Sequence, residues 1–333
     1  MPAEVAAYVM GEQIMIKHLL ESSGSLQRRR DEAGALARRN APPFTAPTPH
    51  ADAEKFLMQV AQQTLITGAT HQLSTNALQF GSLPARPVMD QHIAAAKAYT
   101  SELLGVNLDH VEVVVTPPEE WDLPVAEGVT FFYTVDQHLV FVPSTFSAPT
   151  ELLCHELGHA AHATGRRQTA ALPFYLGLAM TEEFVAMFSQ FNYILTHGTR
   201  REFLEALGAL TTASFALSIW ASQGAPRDVE AYMKTPHALE FQKAIPAYNL
   251  SHQFMQFAQY DHEYVNQIHR GVALLLALLL IDEHEGMRRF IALDRVDHSP
   301  ADKLAAAFPG FELDAGLARI NEQIAALAAR FPA

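Results

Sequence analysis

Cysteine is nearly missing from this 333-residue chain: Cys154 stands alone, so no intramolecular disulfide can form, which fits a reducing compartment. Basic residues are also in deficit, 23 against 36 acidic ones. The formal net charge of -13 argues against a general binder of nucleic acid, which needs clustered Lys and Arg. Long apolar runs are lacking as well. The most apolar run, residues 272–281, is half the ~20 residues that cross a bilayer and is expected as a buried core helix. The first twenty residues contain Glu4, Glu12 and Lys17 and no compact apolar stretch with a cleavage site, so no signal peptide and a cytoplasmic location are expected. What the chain does have is 49% hydrophobic against 18% charged residues, enough for one large or two small domains with a sizeable core.

The periodicity is mostly helical. Residues 3–21 carry Val5, Tyr8, Val9, Ile14, Ile16, Leu19 and Leu20 at helical spacing, and Ser22-Ser23-Gly24 ends the run. The Arg-rich stretch that follows has interleaved acids and no aromatics, as a solvated helix face does. Residues 41–50 hold four prolines and read as a connector, which divides the chain into 1–50 and 51–333. Residues 52–66 and 88–104 read as helices, the second closing at Gly105. Alternation then replaces the helical period in residues 111–115, 129–135 and 138–142, the last two joined by a short turn at Asp136-Gln137. Beyond Pro149 every segment favours helix, including 173–197, 200–222 and 237–285, with breaks near Gly198, Gly224, Pro236, Pro246 and Pro309.

Chemistry concentrates in residues 155–165, HELGHAAHATG. His155-Glu156-Leu157-Gly158-His159 is the HExxH pattern of zinc peptidases. On a helix, residues i and i+4 share a face, so two imidazoles can reach one Zn²⁺ at ~2.0–2.1 Å. Glu156 beside them can act as general base toward a water acidified by the ion. Small and apolar flanks mark this helix as embedded in a core, with Pro149 suited to its start and Gly165 to its end. Two histidines and a glutamate on a solvated face are the alternative. His162 shares the face of His155 and His159 and is a candidate to line the site or to hold a supporting carboxylate, whereas Cys154 points elsewhere.

Three protein ligands and an open position are usual in a catalytic zinc site. The metzincin pattern HExxHxxGxxH needs Gly at 162 and His at 165, where this chain has His162 and Gly165. The gluzincin pattern takes its third ligand from a glutamate on a second helix. Glu183, 24 positions after His159 and followed by Ala186, is the first candidate, and Glu182, rotated ~100° around the helix, is its rival. Acids at a helix start capped by Thr181 would explain both without a metal.

These residues resemble the thimet-oligopeptidase-like family of zinc peptidases. HELGHAAH is similar to that family's HExGHxxH, Phe184-Val185 with Ser189-Gln190 to its FVExxSQ, and Tyr260-Asp261-His262-Glu263-Tyr264 to its YDxxY. The departures are that the ligand position of FVExxSQ falls on Ala186, leaving Glu183 to supply the carboxylate, and that a further family tyrosine falls on Gln267. The resemblance spans residues 150–271. It implies a mainly α, zincin-like catalytic domain; the alternating runs place a small antiparallel β-sheet before the HExxH helix, and in zincins a strand there can be an edge for an extended peptide. Zn²⁺ is then expected on His155, His159 and Glu183, with Glu156 as base. Tyr264 or Tyr260 is expected to meet the oxyanion, with His262 and His269, and more weakly His252, as further site candidates; an aromatic stripe in a helical core is the other meaning of that spacing. The expected substrate is a short peptide, with no nucleic acid or membrane as partner. A zinc-dependent amide hydrolase acting on a small molecule or biosynthetic intermediate, and a non-catalytic zincin used for binding, are the alternatives.

Overall fold

The fold was obtained as a computed structural model, which describes residues 1–79, 83–123 and 128–332. An N-terminal pair, α1 (Ala3–Glu21) and α2 (Leu26–Asn40), precedes α3 (Ala53–Gln63) and α4 (Gly68–Gln79). The strands come next: β1 (Arg86–Pro87), then after α5 (Asp90–Leu104) β2 (Glu112–Thr116), β3 (Val129–Phe131), β4 (Leu139–Pro143) and β5 (Thr145–Phe146). From α6 (Pro149–Arg166) the described chain is helical, through α7 (Ala179–His197), α8 (Arg200–Leu207), α9 (Ala209–Gln223), α10 (Val229–Tyr232) and α11 (Pro236–Phe241). It ends with α12 (Ala247–Gln259), α13 (Asp261–Leu279), α14 (His284–Leu293), α15 (Pro300–Ala307), α16 (Leu313–Ala318) and α17 (Ile320–Ala328). The fold is thus mainly α with small sheets.

The chain divides into two compact units, each drawn from three segments. The first comprises Met1–His50, Leu83–Leu178 and His284–His298. Here β4 is the middle strand of a sheet ordered β2-β4-β3. The small sheet expected to be antiparallel is in fact mixed: β3 runs antiparallel to β4, but β2 pairs parallel with it, Val114 opposite Phe141. The alternation of apolar residues cannot distinguish these pairings, and the connection between β2 and β4, which contains β3, is long enough to return the chain in the same direction. All four residues from Leu139 to Val142 are buried, as a strand covered on both faces requires. Leu139 and Phe141 join Leu19, Leu26 and Ala33 in one apolar cluster, so α1 and α2 cover that face. Alternation turns Val140 and Val142 the other way, and α6 packs against β3 and β4 and lies along α5.

In α6, Pro149 occupies the first turn, where no backbone donor is needed. The expected stop at Gly165 is not one. The helix continues to Arg166, and a Cβ at Gly165 would lie 2.2 Å from Ile291 Cγ2, so this glycine permits close contact with α14.

The second unit comprises Ala51–Ser82, Ala179–Glu283 and Ser299–Ala333. Its central helix is α13, whose residues 271–278 are all buried and which packs on α7 and α9. Gly271 makes the second contact possible, since a Cβ there would stand 2.7 Å from Leu217 Cδ1. The run at 200–222 is split at Gly208, and the run at 237–285 is broken at Tyr260 (φ -124°, ψ 75°) as well as at Pro246.

Candidate metal centre

His155, Glu156 and His159 stand on α6 within the first unit. The two imidazoles are one turn apart, their centroids 5.0 Å apart and their planes at 84°. Both are half-buried, whereas Glu156 is 5% exposed. A carboxylate so far from water needs donors. Thr130, in the middle of β3, donates from Oγ1 to Glu156 Oε2 at 2.7 Å and lies 3.1 Å from the Glu156 carbonyl oxygen. Gly128 lies against the same side chain. A Cβ there would fall 2.5 Å from Glu156 Cγ and 2.6 Å from Oε1, so only glycine leaves Glu156 its place. Neither Thr130 nor Gly128 was singled out from the sequence. The signal available was a glycine and a threonine two residues apart at the start of the β-rich run before HExxH.

The rest of α6 is tied down. His162, 1% exposed, places Nε2 2.9 Å from Asp294 Oδ2, so it is turned into the interior of the first unit and supports a carboxylate there. Of its two expected placements this is the second: it does not line an open surface. Arg166 is 4.0 Å from the same carboxylate. Thr164 Oγ1 is 3.0 Å from Nε2 of His138, an imidazole that burial pushes down to about 3 and so keeps neutral. Arg167, next in the chain, bonds both carboxylate oxygens of Glu12 on α1, at 2.7 and 3.1 Å, and donates to the carbonyls of Thr134 and Tyr175. Cys154 is fully buried, its thiol pushed up to about 12 by that burial, and takes no part.

Glu182 and Glu183 occupy the first turn of α7, in the second unit. Arg270 of α13 approaches Glu183, Nε to Oε2 3.7 Å. His269, beside it, feels the charge of Glu183, but burial outweighs this and lowers its pKa. His155 and His159 in the first unit and Glu183 in the second each offer a ligand atom of the kind that could hold a metal ion. Two imidazoles and one carboxylate are the donor set of a catalytic zinc site.

The remaining expected site residues do not form one face. Tyr264 is buried and donates from its hydroxyl to the carbonyl of Gly224 at 2.6 Å, with its ring against Phe257. Burial there raises its pKa. Tyr260 is 58% exposed and has non-helical backbone at the joint of α12 and α13, where it caps both helices, whereas Tyr264 lies inside α13. His262 is exposed and lies 3.2 Å from Asn266 Nδ2, while His252 is exposed on α12.

The chain matches no family model and no curated protein. Among solved structures, a protein from Bacillus anthracis str. Ames assigned as an oligoendopeptidase F superposes with a TM-score of 0.51 at 12% identity, over 91% of this chain and 62% of that one. The two share a fold. This chain accordingly spans less than two thirds of that oligoendopeptidase. A Pyrococcus furiosus carboxypeptidase aligns at 10% identity with a TM-score of 0.44, over 97% of this chain and 80% of that one.

Proposed function

We propose that the chain is a zinc-dependent peptidase of the gluzincin type that hydrolyses short peptides. The observation carrying this reading is the group His155, His159 and Glu183, two imidazoles and a carboxylate, in a fold shared with an oligoendopeptidase. His155, His159 and Glu183 hold the ion. When bound, the ion supplies Lewis acidity, polarising a carbonyl and making water acidic enough to attack at neutral pH. Glu156 takes the proton of the attacking water and passes it to the departing amine. Thr130 fixes the orientation of the carboxylate by its hydrogen bond to Oε2, and Gly128 leaves room for it. Tyr260, whose hydroxyl lacks the tie that holds Tyr264, is the tyrosine assigned to the developing oxyanion.

The test pairs metal analysis with cleavage of a peptide library by the wild type, Glu156→Gln, Glu183→Ala and Glu182→Ala. The expected result is stoichiometric zinc in the wild type and in Glu156→Gln, with cleavage about 10²- to 10⁴-fold slower in the latter. Glu183→Ala should lose zinc and Glu182→Ala retain it; the reverse moves the ligand by one residue. Protein free of metal when purified without chelator refutes the site, and zinc without cleavage of any peptide refutes the peptidase.

A further inference from the structure

Arg270 is out of keeping with its surroundings. It sits halfway along α13, immediately before Gly271 and the fully buried stretch that packs against α7 and α9, yet its side chain is one third exposed. The guanidinium carries five N–H donors in a planar fork suited to bidentate binding of a carboxylate. Its contact with Glu183 uses Nε at 3.7 Å, longer than a hydrogen bond, and leaves the two terminal nitrogens of the fork unengaged among the described residues. Next to it, His269 has Nδ1 buried without a protein hydrogen-bond partner among the described residues. A cation with an open fork, beside the carboxylate assigned as third ligand, is suited to an anionic substrate group better than to a structural partner.

We infer that Arg270 receives the free C-terminal carboxylate of the peptide, which makes the enzyme selective for substrates whose scissile bond lies close to their C-terminus. This rests on the peptidase reading above. The reach follows from chain dimensions. A peptide residue spans at most ~3.3–3.6 Å, and the guanidinium stands 3.7 Å from Glu183, so a carboxylate seated on the fork lies within one or two residues of that ligand. Arg270 is therefore a specificity-determining residue, and the enzyme releases one or two residues from the C-terminal end.

The test measures binding without turnover, using zinc-loaded Glu156→Gln protein and one short alanine peptide made both as the free acid and as the C-terminal amide. The acid should bind about tenfold to a hundredfold more tightly than the amide. Adding Arg270→Met should bring the acid down to the affinity of the amide, leaving the amide and the zinc content unchanged. Arg270→Lys, which keeps the charge but not the fork, should fall between. Equal affinity of acid and amide, whether both bind or neither does, overturns the inference. So does loss of zinc in Arg270→Met, which would make Arg270 a support for Glu183. The two readings fail separately. Protein that binds the acid through Arg270 but cleaves nothing keeps the carboxylate site and loses the peptidase. Protein that cleaves acid and amide equally keeps the peptidase and loses the carboxylate site.

Discussion

His71 offers a test of how burial sets stability in the second unit. This imidazole of α4 is 1% exposed and stacked on Phe241 at 3.9 Å, and neither ring nitrogen has a protein hydrogen-bond partner among the described residues. Burial lowers its pKa from 6.5 to about 4, with Glu240 opposing the shift and His237 adding to it. A base whose folded pKa is depressed contributes its full stability above pH 6.5 and loses it as the pH falls toward 4, because the unfolded chain takes up the proton first. With those two values the loss between pH 8 and pH 5 is about 2 kcal/mol. His71→Leu removes that dependence. It gives up a ring stack of about 0.5–1.5 kcal/mol and relieves a buried, unsatisfied polar group costing about 1–3 kcal/mol, so at pH 8 it should be at least as stable as the parent. Urea denaturation in a Trp121→Phe background leaves Trp220, in the second unit, as the sole indole reporter. The stability difference between the parent and the His71→Leu variant, obtained at pH 8 and pH 5, should widen in favour of the variant by about 2 kcal/mol. A difference that does not change with pH, or that narrows, refutes the argument.

Two further perturbations probe the first unit. Gly128→Ala should displace Glu156 and lower kcat by about a hundredfold, the order expected of an impaired general base, with zinc content unchanged; an unaltered kcat would mean that Glu156 does not need this place. Glu12→Ala leaves the buried charge of Arg167 unpaired and should cost about 3–5 kcal/mol in thermal or urea unfolding of the first unit, whereas replacing both residues with apolar ones should recover much of that loss.

Local features of this fold were legible in the sequence where one residue type has one meaning. The bounds of α1 follow from its apolar spacing and Ser22, and the end of α5 from Gly105, which adopts the left-handed conformation (φ 68°). Gly165 shows the limit. A glycine near a helix end also serves close packing, and Ile291 is 126 positions away, so no local pattern could choose between the two. The parallel pairing of β2 was hidden for the same reason, and α4 is not legible because its polar composition, GATHQLSTNALQ, shows little apolar period. At the candidate site, HExxH and the spacing to Glu183 were legible. Asp294 behind His162 and Gly224 beneath Tyr264 were not, since both partnerships join distant segments through burial. The tyrosine pair looked like one helix face only because nothing in YDHEY announces the break at Tyr260.

The ties along the latter half of α6 have a consequence for handling the protein. His162, Thr164, Arg166 and Arg167 reach Asp294, His138 and Glu12, on three separate stretches of the chain, so this end of the helix cannot fray unless much of the first unit opens with it. Its backbone amides should exchange with solvent only through that larger opening. The paired imidazoles stand earlier on this same anchored helix, so the proposed ion would meet a helix already folded, unlike zinc fingers, in which metal binding and folding are one event. A sample treated with chelator should therefore keep the helical content and the slow amide exchange of α6, and the proposed ion should rebind without a refolding step.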